Sequence, residues 1–449
     1  MASTKGRRHM TQQPLSVGII GAGATGIAAA WDLANAGHRV TIYEAGAEIG
    51  GLAAGFKAPG WDWHLEKFYH HWFETDTDIK AILQEMNLWD NVIFPRPKTS
   101  YWIDGKIYRS EISPSAVFLP IGPLATARMG AWGAFLKLKA DGLDLEQYTA
   151  HEWMLSHMGK AAYDKFFRPL LIGKFGDHYQ QVNMAWMWAR IRARSLRLGI
   201  YKGGFQAALN AMAARVQSAG DVTIHLNTRV ERINWADGQP VLETGGGAQR
   251  YDRVLSTTSP NLLLKMTGDA LADSLYGQQV GALQSIGAVC VVLALDQSLL
   301  TDGTYWLNLP ATSADKRSNR FPFLALVEHT NWLPRQHYGD DVIVYCGDYV
   351  PADHEYFTLS EDELTRRFVD VLHHFNADFR PSWIKRSWVF RAPYAQPVPG
   401  VNHSKNIPPL KTPMPGVYWA SMSQVYPWDR GTNFAVEMGR RVAGQIMAE

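Results

Sequence analysis

The chain has 449 residues, 46% hydrophobic and 19% charged, and its 44 basic and 42 acidic side chains leave a formal net charge of +2. That length predicts two or three domains with an ordinary buried core, and the near balance of charge argues against nucleic acid or an acidic protein as partner. No run of about 18 apolar residues occurs, which excludes a transmembrane helix.

Residues 1–10 (MASTKGRRHM) are polar and basic with no apolar stretch, so they are not a secretory signal; His9-Met10 reads as a cloning scar, and residues 1–13 are set apart from the fold. Leu15 to Ile20 is a short apolar run that reads as a buried parallel strand. Gly26 to Ala36 is Ala- and Leu-rich and predicts a helix stopped by Gly37. Arg39 to Tyr43 predicts a second strand, ending at Glu44 and completing a βαβ unit. A helix is expected over Asp76–Met86, a hairpin over Tyr101–Tyr108 around Asp104-Gly105, and mainly helix from 112 to 200. After Gly203-Gly204 come a helix (Phe205–Ser218) and short strands at Val222–Leu226, Val230–Ile233, Pro240–Thr244 and Tyr251–Ser256. Residues 287–349 are β-rich, Leu359–Phe375 predicts a helix and Trp383–Phe390 a strand. A Pro-rich link (Pro393–Pro415) leads to a strand at Val417–Ala420 and a last helix from about Asn433 to Met447. Cys290 and Cys346 lie in apolar strand-like runs, which predicts two buried free thiols and a reducing cytoplasm.

The strongest motif is Gly21-Ala22-Gly23-Ala24-Thr25-Gly26, set between the first strand and the first helix. In a GxGxxG turn the first glycine permits the bend, the second lets a pyrophosphate approach the backbone, and the third lets helix pack on strand. The pyrophosphate then meets the helix N-terminus, its free N–H groups and its positive dipole end. Glu44, 18 positions after Gly26, is placed to accept from both ribose hydroxyls of an adenosine, with Ala45 beside it, and would repel a 2′-phosphate. The paired Gly50 and Gly51, followed by Leu52, give a backbone that passes close to a second bulky group, which favours FAD over NAD.

With these residues the sequence resembles the superfamily of flavoprotein amine oxidases, phytoene desaturases and protoporphyrinogen oxidase. Lys202-Gly203-Gly204-Phe205 is similar to the family's entry into a helix, Val222–Ile233 to the strand pair whose valine (here Val230) meets adenine, and 416–444 to the C-terminal flavin-binding strand and helix. Two positions depart from the family: Leu52 stands where it usually has Arg, and Ala420-Ser421-Met422-Ser423 where it often has Gly followed by an acid. Lys67–Asp76 (KFYHHWFETD) is similar to the His-aromatic segment of UDP-galactopyranose mutase. The resemblance implies an α/β fold: a Rossmann-type FAD-binding domain (14–96, 199–274 and 393–449) with an inserted α+β substrate domain (97–198, helical; 275–392, β-rich).

It also implies non-covalent FAD and a small-molecule substrate, and the residues refine that expectation. N–H groups of Gly431, Thr432 and Asn433 open the last helix towards the flavin, with Thr432 or Asn433 as cap, and Ser421 is offered to a phosphate or ribityl group. The candidate catalytic residues are His70, His71 and Arg430. Adjacent on an extended segment, the histidines point to opposite sides; one serves as a general base or as a hydrogen-bonding partner of the cofactor. Arg430 either binds flavin or an anionic substrate group, or pairs with Asp429 or Glu437. No spacing suggests a metal. Trp186, Trp188, Trp306, Tyr345, Trp388 and Tyr394 divide between pocket wall and core. Arg190, Arg194 and Arg197 would share one helical face, basic towards either a phosphate or solvent, and Val117–Leu138 offers an apolar, basic-edged surface either to the inner membrane face or as a roof over the pocket. Three functions stay open: hydride transfer from an organic, largely apolar substrate to flavin N5; a mutase-like rearrangement of a nucleotide sugar; flavin binding without turnover.

Overall fold

The computed structural model describes residues 13–109 and 120–449; residues 1–12 of the expected tag and the start of the apolar segment at Val117 lie outside them. Two sheets organise the chain. The first is a five-stranded parallel sheet in the order Val222–His225, Arg39–Tyr43, Ser16–Ile20, Arg253–Ser256, Val417–Trp419. The strands are short, and the central ones are buried, as expected where both faces are covered. One face carries the helices Ala24–Asn35, Phe205–Ala219 and Thr432–Met447. The other carries an antiparallel meander, Val230–Ala236, Gln239–Thr244 and Gly247–Arg250, whose Leu242 packs with Tyr251 against Gly18 so closely that a Cβ there would stand 2.8–2.9 Å from them.

The first helix starts at Ala24, two residues before the expected Gly26, because Gly23 is its N-cap. Its Ala28, Ala29 and Ala30 are wholly buried, and at its crossing with the last helix a Cβ on Gly439 would lie 2.3 Å from the Thr25 carbonyl oxygen. Small side chains bring these two helices nearly backbone to backbone.

The second sheet has seven strands in the order Ile384–Pro397, Ser285–Leu295, Val342–Val350, Ala325–Glu328, Trp306–Asn308, Thr99–Ile103, Lys106–Arg109. All pairs are antiparallel except Trp306–Asn308 with Thr99–Ile103. Cys290 and Cys346 are buried in it as free thiols. The strand expected to end at Phe390 continues to Pro397, through the start of the expected Pro-rich link at Pro393. It is an edge strand, and its register slips between Ala392 and Gln396, the setting in which proline is tolerated in a sheet. The helix expected over Leu359–Phe375 is shorter, Glu361–Val369 with a separate turn at Leu372–His374. Against the second sheet stands a helical lobe (Pro123–Leu138, Ala150–Met158, Arg168–Phe175 and Met184–Ala193) packed around Trp153, Met154, Phe175, Trp186 and Trp188.

Candidate active site

The nucleotide end is built from backbone. Gly21 takes φ +103°, and a Cβ there would stand 2.4 Å from Thr257 Oγ1; a Cβ on Gly26 would meet the Gly21 carbonyl at 2.1 Å. Gly23 differs: a Cβ would have nothing within 4 Å, and the helix that Gly23 opens has no side-chain cap. The turn therefore presents uncapped N–H groups to a clear space, which fits a pyrophosphate. Gly50 and Gly51, at φ +126° and +57°, bend the next loop back onto it: Gly50 N–H donates to the Ala22 carbonyl (2.9 Å), and a Cβ on Gly51 would come 3.7 Å from Gly23 Cα. Leu52 follows, 36% exposed.

Glu44 is half-buried, and its carboxylate accepts from Ala22 N–H (2.9 Å) and Gly46 N–H (2.8 Å). A carboxylate has lone pairs for further donors, so ribose hydroxyls can join these amides. Thr228 N–H donates to the Glu44 carbonyl (2.8 Å) and Asn227 N–H to that of Gly46 (2.9 Å). These bonds bring the start of the meander, with buried Val230, alongside Glu44 and exposed Ala45. The residues fit the adenosine half of FAD.

At the other end, the last helix begins at Thr432 with Gly431 as an N-cap that contributes no side chain. The expected caps act elsewhere. Thr432 Oγ1 accepts the indole N–H of Trp72 (2.6 Å), and Asn433 Oδ1 accepts Asp78 N–H and Ile79 N–H (2.9 and 3.0 Å), capping the helix Thr77–Glu85 instead of its own. The reason is local: Asn433 lies inside its own helix, past the Gly431 N-cap, and is buried against the helix Thr77–Glu85. The first amides of the last helix keep their donors for a partner such as the flavin pyrimidine edge. Ser421 is buried and shares its hydroxyl with Tyr394 OH (2.7 Å), while its own N–H donates to Gln424 Oε1 (2.9 Å), closing a turn.

The His-aromatic segment runs between the sheets. His70 donates from Nδ1 to the Phe68 carbonyl oxygen, leaving Nε2 as an acceptor. His71 Nε2 pairs with Tyr305 OH (2.6 Å) amid Trp306 and Trp332. Burial pushes the His70 imidazole down to about 4 and that of His71, beside His70 and His329, to about 3. Both are neutral at pH 7 and act as hydrogen-bonding groups; a base so weak does little proton abstraction there.

Arg430 lies in a cluster that sequence reading largely missed. Its guanidinium donates to the Ala395 carbonyl and to Tyr349 OH (2.5 Å), and lies 3.9 Å from Asp429. Glu437 pairs with Arg441 instead. Asp429 is held by Arg190 in a close ion pair, by Trp186 Nε1 (3.1 Å) and by Gln396 Nε2 (3.2 Å), with Lys174 Nζ at 3.8 Å. Burial alone would raise its carboxyl; Lys174, Arg190 and Arg430 hold it well below the usual range.

The expected shared face of Arg190, Arg194 and Arg197 does not form, because the helix ends at Ala193. Lys137 draws the chain away there by donating to the carbonyls of Ile191, Arg192 and Arg194, and Arg192 donates back to the Lys137 carbonyl. Arg190 alone turns inwards. Of the six aromatic candidates, Trp186 belongs to the charged cluster and Trp306 packs on Tyr69 and His71. Tyr394 binds Ser421 and Ser423. Trp188 and Tyr345 are core, and Trp388 packs on Phe56 and Trp61. Lys174 and Tyr349 went unnoticed; the available signal was a lone lysine inside the apolar run Leu170–Phe175.

The matched stretch of a probable zeta-carotene desaturase from Synechococcus elongatus is 22% identical and covers 51% of this chain and 53% of that protein. An L-amino-acid oxidase from Naja atra is 26% identical over 25% of this chain and 23% of its own length. The chain thus spans about half, or less, of these curated relatives. Among solved structures, a putative protoporphyrinogen oxidase from Exiguobacterium superposes with TM-score 0.75 at 16% identity, covering 98% of this chain and all of that one. A reduced UDP-galactopyranose mutase gives 0.74 at 15% identity, covering 97% and 94%. Both share the fold. The model of the family "Flavin containing amine oxidoreductase" matches residues 24–447, and the chain belongs to that family of FAD-dependent oxidoreductases.

Proposed function

We propose that the protein oxidises or desaturates a small organic substrate, taking hydride from a C–H or N–H bond beside the aromatic residues Tyr69, Trp306 and Tyr349. FAD, when bound, supplies the hydride acceptor at N5. The observation that carries the reading is the uncapped start of the last helix: Thr432 and Asn433 serve Trp72 and the helix Thr77–Glu85, so the amides after Gly431 are kept for negative charge arriving from outside the chain. Gly23 and its helix do the same for the pyrophosphate, Glu44 for the ribose, and Val230 sits beside the adenine. His70 orients through Nδ1 and accepts at Nε2, and the aromatic rings exclude water. Neither cysteine lies in a flavin-linking motif, and the flavin is held non-covalently.

Two peripheral readings go with this. The helix Pro123–Leu138 exposes Leu124 (87%), Phe135 (46%) and Leu138 (80%), an apolar stripe suited to lying on the inner face of a membrane. No helix among the described residues is long and apolar enough to cross one. The free thiols suit a reducing cytoplasm.

The test is anaerobic mixing of the yellow purified protein with a panel of amines, amino acids and hydrophobic acids. Bleaching of the flavin by a panel member, with colour restored by oxygen or a dye, is expected. Turnover of a nucleotide sugar only after dithionite reduction would overturn the oxidase reading in favour of a rearrangement. Stable colour with no turnover of any compound would leave a flavin-binding protein.

A further inference from the structure

Lys174 is the least expected charge in the molecule. It lies within the otherwise apolar run Leu170–Phe175 of the helical lobe, and its side chain is 6% exposed. Its ammonium stands 4.6 Å above the ring of Tyr349 and 5.6 Å from that of Trp186. Its ion pair with Asp429 is 3.8 Å long, beyond hydrogen-bonding reach. Asp429 is already committed: Oδ1 accepts from Trp186 and Gln396, and Oδ2 is in close contact with Arg190. Among the described residues no second carboxylate pairs with Lys174, Arg190 or Arg430, so one buried and two partly buried cations share one acid.

A buried cluster with such an excess of charge is costly unless a counter-charge joins it. We propose that Lys174, flanked by Arg190 and Arg430, is the seat for an oxyanion of the substrate, a carboxylate or phosphate, with Tyr349 and Trp186 packing against the apolar body that carries it. The proposal rests on the oxidoreductase reading above and names its substrate class: a hydrophobic acid. Arg430 ties the seat to the reaction centre, since it immediately precedes Gly431, the N-cap of the last helix. Asp429 is a positioning residue that fixes Arg190 and leaves Lys174 unsaturated. Burial, reinforced by Arg190 and Arg430, holds the Lys174 ammonium well below its ordinary range, and an arriving anion would relieve this.

The experiment is calorimetric titration of the FAD-loaded protein with benzoate, with its neutral isostere benzamide, and with inorganic phosphate and pyrophosphate. Saturable binding of an anion without comparable binding of benzamide is expected, and the preferred anion decides between carboxylate and phosphate. Lys174→Gln should weaken that binding about ten- to a hundredfold at unchanged FAD content, Lys174→Arg should restore part of it, and Asp429→Asn should tighten it. Equal binding of benzoate and benzamide to the unmodified protein, no binding of any of the anions, or undiminished anion binding by a folded Lys174→Gln protein overturns the seat. A protein that refuses FAD overturns both readings; a yellow, reducible one indifferent to ligand charge overturns this one alone.

Discussion

Gly23 and Gly26 lie in one turn and meet opposite surroundings, so the same substitution at each should fail differently. Gly23→Ala adds a methyl to open space at an ordinary extended backbone (φ −79°). Its stability without cofactor should stay within about 0.5 kcal/mol of the parent, while FAD occupancy after purification falls sharply. Gly26→Ala drives a methyl against the Gly21 carbonyl and should cost about 1–3 kcal/mol in denaturant titrations with or without FAD. Equal behaviour of the two would remove the pyrophosphate from this turn. A second residue-scale consequence concerns Glu66, 1% exposed, whose Oε1 accepts Phe205 N–H (2.7 Å). Burial, only partly offset by that bond, pushes its carboxyl up from 4.5 to about 7. Between those values the folded protein keeps a proton that the unfolded chain has released. Stability should therefore fall as pH rises through this window, by up to roughly 1.4 kcal/mol per pH unit, and level off above it. Glu66→Gln keeps an acceptor for the amide and should remove that slope from the pH profile of chemical denaturation. Among single residues, the turn glycines and Glu44 were legible because each follows from a local backbone requirement. Lys174 and Tyr349 were not: their meaning depends on Asp429 and Arg430, 255 and 81 positions away along the chain respectively.

At the scale of elements, the exchange of caps between two helices is the informative case. Asn433 belongs to one helix and satisfies the first-turn donors of another. Asn433→Ala should destabilise the protein by about 1 kcal/mol, seen as a shifted denaturation midpoint at unchanged slope, with the helix Thr77–Glu85 losing amide protection first in hydrogen exchange. Loss confined to the last helix would contradict the assignment. Most helices and strands could be read from periodicity and glycine punctuation. Boundaries failed where tertiary context overrode them. Pro393 reads as a break, yet the strand passes through it because it is an edge with a bulge. Arg194 reads as the next turn of a helix, yet Lys137 collects the carbonyls that would have continued it.

For the whole molecule, the parallel sheet is assembled from strands around residues 16–43, 222–256 and 417–419, brought together across the full chain. A cofactor lying on loops from all three segments stabilises the folded state by mass action. Removing FAD should lower the melting temperature, and restoring it at a hundredfold excess over its dissociation constant should return about 2.7 kcal/mol. An unchanged melting temperature would mean the flavin does not bridge these segments. The crossing of the first and last helices, where Gly439 meets the backbone of Thr25, joins the first of these segments to the last. Ala28 and Ala29 of the opening helix meet Gly439 there, so the helix Thr432–Met447 covers them. A chain cut before residue 432 should therefore expose those alanines and retain no flavin after purification.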